Sequence, residues 1–283
     1  MLSKVTVLPG QETLVASWSA LVQLSPGARL IRSPATVAAV FPSWAPLNNA
    51  IMLNIPESEA AVAAASQVTT SYAEARVAEW AFWVPSRASN LDAPDEVREV
   101  GGLKRDTTTL VMRTNLRPGL RRHQGVVRAS ITAASRAAGD EPVPATDLGK
   151  PEAVSGLTAW VMIQDGYAVA GAWSFLHKGD CGIYAVGTGP EWRRRGVART
   201  LMEHVLADAQ DRGARTATCS PREWGCLSTT RSASNLQDAM RSGSPSDRGH
   251  TKRSMMAMRT TWSSHNRCRY STSSSRNPTF MVT

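Results

Sequence analysis

The dipeptide Asp165-Gly166 stands between two apolar runs, Leu157 to Gln164 and Tyr167 to Leu176. A two-residue hairpin turn of type I′ needs positive φ at both central positions, and Asp-Gly adopts it at little steric cost. The pair therefore predicts two antiparallel strands joined tightly. His177-Lys178-Gly179-Asp180 makes a second turn, and Cys181 to Gly187 reads as a third strand. A helix follows, because Val197, Leu201, Val205 and Ala209 recur every four residues, with Met202 and Leu206 widening the stripe. Gly213 lies just past its end, where a left-handed stop belongs. An antiparallel meander feeding an amphipathic helix places this part of the chain in the α+β class.

Between the third strand and the helix runs Glu191-Trp192-Arg193-Arg194-Arg195-Gly196-Val197-Ala198. A helix that starts near Gly196 leaves its first backbone N–H groups without intrahelical acceptors. Those donors and the helix dipole favour an anion, the dipole contributing about 0.3–2 kcal/mol. Gly196 and the small Ala198 let a ligand approach the backbone closely. Three arginines add charge suited to a polyphosphate. The blander reading of Arg193 to Arg195 is a solvated face.

Arg193-x-x-Gly196-x-Ala198, preceded by a strand ending Tyr184-Ala185-Val186-Gly187-Thr188 and followed by an amphipathic helix, resembles the GNAT acetyltransferase superfamily. The resemblance covers about residues 156–218. It implies a mixed sheet, with the antiparallel meander followed by the CoA-binding loop and helix. It also implies acetyl-CoA as co-substrate and an amine acceptor, small molecule or peptide. In that family the loop amides hold the pyrophosphate, which assigns Arg193, Arg194, Arg195, Gly196, Val197, Ala198 and Arg199 to the cofactor. The end of the preceding strand, here Val186, Gly187 and Thr188, holds the pantetheine arm and thioester.

Other residues read more plainly. His177 and Asp180 flank the third strand and are candidates to assist deprotonation of an amine, although ordinary turn residues describe them as well. Trp160 and Trp173, on paired strands, fit core packing better than substrate stacking. Cys181 reads as a buried small hydrophobe. The four cysteines form no C-x-x-C pair, so no disulfide framework or metal site is expected. No secretory signal and no membrane-spanning run is evident, and the expected compartment is the cytoplasm.

Upstream, Pro56-Glu57-Ser58-Glu59 opens a helix that continues through the alanine-rich Ala60 to Ala75. Trp80 to Val84 reads as a strand stopped by Pro85, Thr107 to Met112 as another, and Ala138 to Pro151 as an irregular connection. The expected organisation is a degenerate GNAT-like half over 1–115, a GNAT core with the cofactor cradle over 116–218, and a tail over 219–283.

Composition sets the tail apart. The chain carries a net charge of +9, yet residues 219–283 hold nine Arg, one Lys and three acids, so +7 belongs to the tail and +2 to the body. Those 65 residues contain 14 Ser and only four of Leu, Ile, Val and Phe together. That is far below the roughly 20% under which a packed core fails, and disorder is expected. Taking the third base of each codon with the first two of the next, from Thr218 onward, permits a reading that includes Pro-Leu-Tyr and Leu-Gly-Phe. Both elements are typical of the GNAT C-terminal end. We therefore expect a frameshift near Thr218. In the family, the tyrosine of Pro-Leu-Tyr protonates the leaving thiolate; no residue of the written tail takes that place, Tyr184 is not its match, and no catalytic residue is assigned. The alternative to an N-acetyltransferase is a non-catalytic, truncated GNAT-like protein whose basic tail binds polyanions without sequence specificity.

Overall fold

A computed structural model describes residues 9–54, 58–86, 103–139, 141–219 and 256–263. The chain divides into two compact units, one of residues 1–11, 18–110 and 255–283, the other of residues 12–17 and 111–254.

In the first unit, strands β1 (Arg29–Arg32), β2 (Thr36–Val40) and β3 (Asn49–Met52) form an antiparallel meander. Helix α2 (Ser58–Glu74) then crosses over to β4 (Ala81–Ser86), which runs parallel to β3 with Asn49 opposite Ala81. Ala61, Ala64, Ala65 and Val68 of α2 face Ala38, Val40, Ala50 and Met52 of the sheet. Alanine at so many contact positions lets helix and sheet approach closely. Tyr72 closes this core: its hydroxyl donates to the Ala39 carbonyl at 2.9 Å and its ring stacks on Trp80. Burial pushes the Tyr72 phenol well above its ordinary range. The helix matches the expected 60–75 span closely. Pro85, expected to stop the strand, instead lies inside β4 and stands opposite Met258. Proline removes one ladder donor without forbidding an extended backbone.

The pairing partner there is β12 (Met256–Ser263), antiparallel to β4 from Ala257 opposite Ser86 to Trp262 opposite Ala81. The sequence reading did not anticipate this strand. The rest of the expected tail beyond Cys219 lies outside the described residues.

The second unit holds the segment with the clearest sequence signals. Its sheet runs in the order β5 (Leu103–Asn115), β11 (Thr216–Cys219), β10 (Asp180–Thr188), β9 (Tyr167–His177), β8 (Leu157–Gln164), β6 (Val126–Ala129), with β7 (Val143–Pro144) also on β9. All pairs are antiparallel except β10 with β11. The hairpin forms as expected, with φ of 50° at Asp165 and 80° at Gly166. Helix α3 (Ile131–Ala138) is capped by the Ser130 hydroxyl, which accepts from the Ala133 amide at 3.1 Å.

Helix α4 (Val197–Asp211) lies on the opposite face from α3. At β9, Ala170 and Ala172 pack toward Val197, Leu201 and Val205, whereas Gly171 between them faces α3. Met202, Leu206 and Ala209 pack on Cys181, Ile183, Ala217 and Cys219. The stripe spaced by four is the buried face of α4.

Candidate functional site

Strand β10 does not run evenly to its end. Its register with β9 shifts between Tyr184 and Gly187, and Ala185 in that bulge has φ of 51°. A bulge bends its strand and re-aims side chains. Within it, Val186 packs against the cluster that includes Val197 and Leu201. Gly187 pairs with Gly171, and Thr188 with Ala170.

A tight turn then leads into α4. The Gly189 amide donates to the Val169 carbonyl at 2.9 Å, and Pro190–Trp192 form one turn of 3-10 helix. Arg193 is extended, and its Nε donates to the Thr188 carbonyl at 2.9 Å, tying the loop back to the strand end. Arg194 has φ of 62° and Gly196 has φ of 81°, both left-handed. Left-handed residues alternating with ordinary ones turn successive amides toward one side, a geometry that binds anions. The Arg195 guanidinium lies 5.3 Å from the Trp192 ring centre.

The Thr200 amide is the first to donate within the helix, to the Gly196 carbonyl at 3.0 Å. The amides of Val197, Ala198 and Arg199 precede that bond and form the open N-terminal end. A Cβ added at Gly196 meets nothing within 4 Å. The open space and the left-handed backbone are what a close-approaching anion requires. All ten expected residues fall on this stretch, from Val186 at the strand end to Arg199 in the first helical turn. Val197 contributes only its backbone, since its side chain is buried against β9.

His177 and Asp180 sit at the other end of β10, roughly 26 Å from Thr188 at about 3.3 Å per residue. Asp180 is buried, and its carboxylate accepts from the hydroxyls of Thr13 (2.8 Å), Thr216 (2.6 Å) and Thr218 (3.0 Å). His177 stacks on Phe175. Asp180 is a structural acceptor at the strand's far end. Trp160 and Trp173 are core, as expected, and the Trp173 ring lies 4.5 Å from that of Tyr184. Burial pushes the Cys181 thiol up to about 12, so it is no nucleophile. Among the described residues, no group of three or more His, Cys, Asp or Glu is arranged to hold a metal ion.

Sequence reasoning missed α3 and its contact with β10. The Ala134 and Ala138 carbonyls point at Gly171 and Gly187, so glycine at 187 has a packing reason beside the expected ligand one. The Ser130 cap was the available signal for this helix.

The family model described as Acetyltransferase (GNAT) family matches residues 124–224. No curated protein matches the chain. Among solved structures, the chain is similar to a GCN5-related N-acetyltransferase from Kribbella flavida. That match has 16% identity and a TM-score of 0.55, over 89% of this chain and 96% of the other. A functionally unknown conserved protein from Staphylococcus epidermidis aligns at 9% identity and TM-score 0.50, over 84% and 95%. These likenesses show the fold.

Proposed function

We propose that this chain, whose residues 124–224 are a GNAT-family acetyltransferase domain, uses acetyl-CoA to acetylate an amine. One observation carries the proposal: a bulged strand ends at an arginine-rich turn whose left-handed Gly196 opens the N-terminus of α4. The residues fit the group. The Val197, Ala198 and Arg199 amides donate to its pyrophosphate, and Arg193, Arg194 and Arg195 supply the positive field. Val186, Gly187 and Thr188 line the pantetheine arm and orient the acyl carbonyl toward backbone donors. Bound acetyl-CoA supplies an activated thioester.

The acceptor is a small-molecule or peptide amine, and the near-neutral body, with a net charge of +2, selects no charge class for it. The first unit repeats the strand–strand–strand–helix–strand order of β8 to β11, including a parallel last pair, which supports reading it as a degenerate N-terminal GNAT-like half. Its helix carries Glu59 in the first turn where the second unit has arginines, which disfavours an anion there. No helix among the described residues is long and apolar enough to cross a membrane. Cys181 and Cys219 are buried and not joined in a disulfide, which suits a reducing compartment such as the cytoplasm.

The composition of 219–283 favours a second reading, a cofactor-binding body without the acid that completes catalysis. Thiol release from acetyl-CoA over a panel of amines separates the two. Amine-dependent turnover supports the enzyme; binding of CoA without turnover, together with salt-sensitive binding of a polyanion, supports the second.

A further inference from the structure

Residues 116–125 join β5 to β6 by passing along α4, and they are fastened to it at several points. At the start, the Leu116 amide donates to the Arg215 carbonyl at 2.9 Å, and Leu116 and Leu120 pack against the cluster of Met202, Leu206 and Ala209. Next, Arg122 donates to Asp211 at 2.8 and 3.0 Å and to the buried Asp208 at 3.2 Å. His123 Nε2 stands 3.1 Å from a Glu203 carboxylate oxygen. At the end, the Ile163 amide donates to the Gly125 carbonyl at 2.8 Å, which fixes the exit into β6.

The central fastening is unlike the others. The backbone amide of His123 donates to Nδ1 of His204 at 2.9 Å. His204 is only 6% exposed, on the second turn of α4, with its ring edge-on to Trp160 at 4.9 Å. An Nδ1 that accepts is unprotonated, so the ring proton sits on Nε2. That Nε2 is buried and has no hydrogen-bond partner among the described residues. A second proton has only Nδ1 to go to, where it meets the His123 N–H head-on. The doubly protonated ring is also a buried cation without a partner of its own. Neutral His204 closes this contact and charged His204 breaks it.

We propose that residues 116–125 are a clasp on α4, closed by neutral His204 and opened when His204 is protonated.

The surrounding charges act in both directions. The charges of Arg122 and of the His123 side chain disfavour a cation at 204, whereas the charge of Asp208 on the same helix favours one. Asp208 is already shared by Arg122, Arg128 of β6 and Arg212. Glu203 faces His123 rather than the His204 ring. Trp160 of β8 offers an uncharged ring that already carries Arg128 at 5.3 Å. Burial is the largest influence, and it lowers the proton affinity of His204. The open clasp returns the ring to water and the ordinary value of about 6.5. The open form therefore binds the proton more tightly. The closed form is fully favoured above about pH 6.5 and loses ground as pH falls toward the lower value of the closed ring. The clasp grips the same helix whose first turn forms the anion site, yet neither the proposal nor its test depends on what that site binds.

Amide hydrogen exchange on the full chain tests this. Protection of the His123 amide, corrected for intrinsic exchange, should fall severalfold between pH 7.5 and 5.0. Amides in the β8–β9 ladder should keep theirs. In His204→Gln, whose side-chain oxygen accepts but does not titrate, His123 protection should be independent of pH. Unchanged protection in the wild type, or an undiminished pH dependence in His204→Gln, overturns the proposal. Should the variant fail to fold, the wild type decides alone: the His204 ring resonance and the His123 protection must titrate together, and ring titration without loss of protection rejects the clasp.

Discussion

Gly171 and Gly187 face each other across β9 and β10, and each has a carbonyl of α3 where a side chain would be. A Cβ at 171 would lie 1.8 Å from the Ala134 oxygen, and one at 187 would lie 1.9 Å from the Ala138 oxygen. The two carbonyls are four residues apart, one helical turn, so the registered glycine pair forms a notch in which α3 rests. The notch lies directly beyond the β10 bulge.

Because the obstructing atoms are backbone, they cannot rotate away. Gly187→Ala should therefore cost about 2–4 kcal/mol of stability, as an overpacked site that moves a helix. Gly189→Ala, two residues on, is the control: its nearest neighbour would be 3.5 Å away and its φ is −52°. Urea unfolding should show a large fall in midpoint for the first and a change within about 1 kcal/mol for the second. Equal midpoints would mean that α3 does not rest on Gly187.

At the opposite end of β10, Asp180 should behave as a structural acceptor. Asp180→Asn keeps the shape but replaces one acceptor oxygen with a donor facing threonine hydroxyls, so a loss of about 1–3 kcal/mol is expected. If the chain transfers acetyl groups as proposed, the pH profile of that transfer in the folded variant should match the wild type. A lost or displaced profile limb would return Asp180 to the chemistry.

Gly196 carries the sharpest prediction at the site itself. Gly196→Gln must hold φ near 81° with a side chain present and must place that side chain in the open space at the start of α4. CoA affinity measured by calorimetry should fall at least about tenfold, on the order of 1.4 kcal/mol. A folded variant with unchanged affinity would place the phosphates elsewhere.

The written C-terminal segment makes its own prediction. Restoring the alternative frame after Thr218 should raise amine-dependent turnover at least about a hundredfold, the contribution typical of a positioned general acid. Replacing the tyrosine of the restored Pro-Leu-Tyr by Phe should remove most of that gain. Equal turnover of the written and restored chains would show that the segment had been misread.

How far the sequence could be read follows from how local each interaction is. Asp165-Gly166 forces its turn through φ alone, and the stripe from Val197 to Ala209 needs only helical spacing, so β8, β9, β10 and α4 were legible nearly to the residue. The arginine turn was legible because Gly196 and the helix start are neighbours in the chain. The notch was not, because Gly171 and Gly187 become neighbours only through strand pairing, and their partners come from a helix more than 30 residues earlier. Asp180 was ambiguous for the same reason, since two of its hydroxyl partners arrive from β11 and one from α1 (Gln11–Val22). Nothing in the spacing of His123 and His204 announced their contact across 81 residues.

The claim that the turn from Arg193 to Arg199 is a pyrophosphate cradle is tested most directly by comparing CoA with pantetheine, which has the same thiol arm but no pyrophosphate, in calorimetric titrations of the wild-type chain. The account predicts one CoA site per chain and pantetheine binding at least about a hundredfold weaker, or roughly 2.7 kcal/mol. Equal affinity for the two ligands, or no binding of CoA, would contradict it.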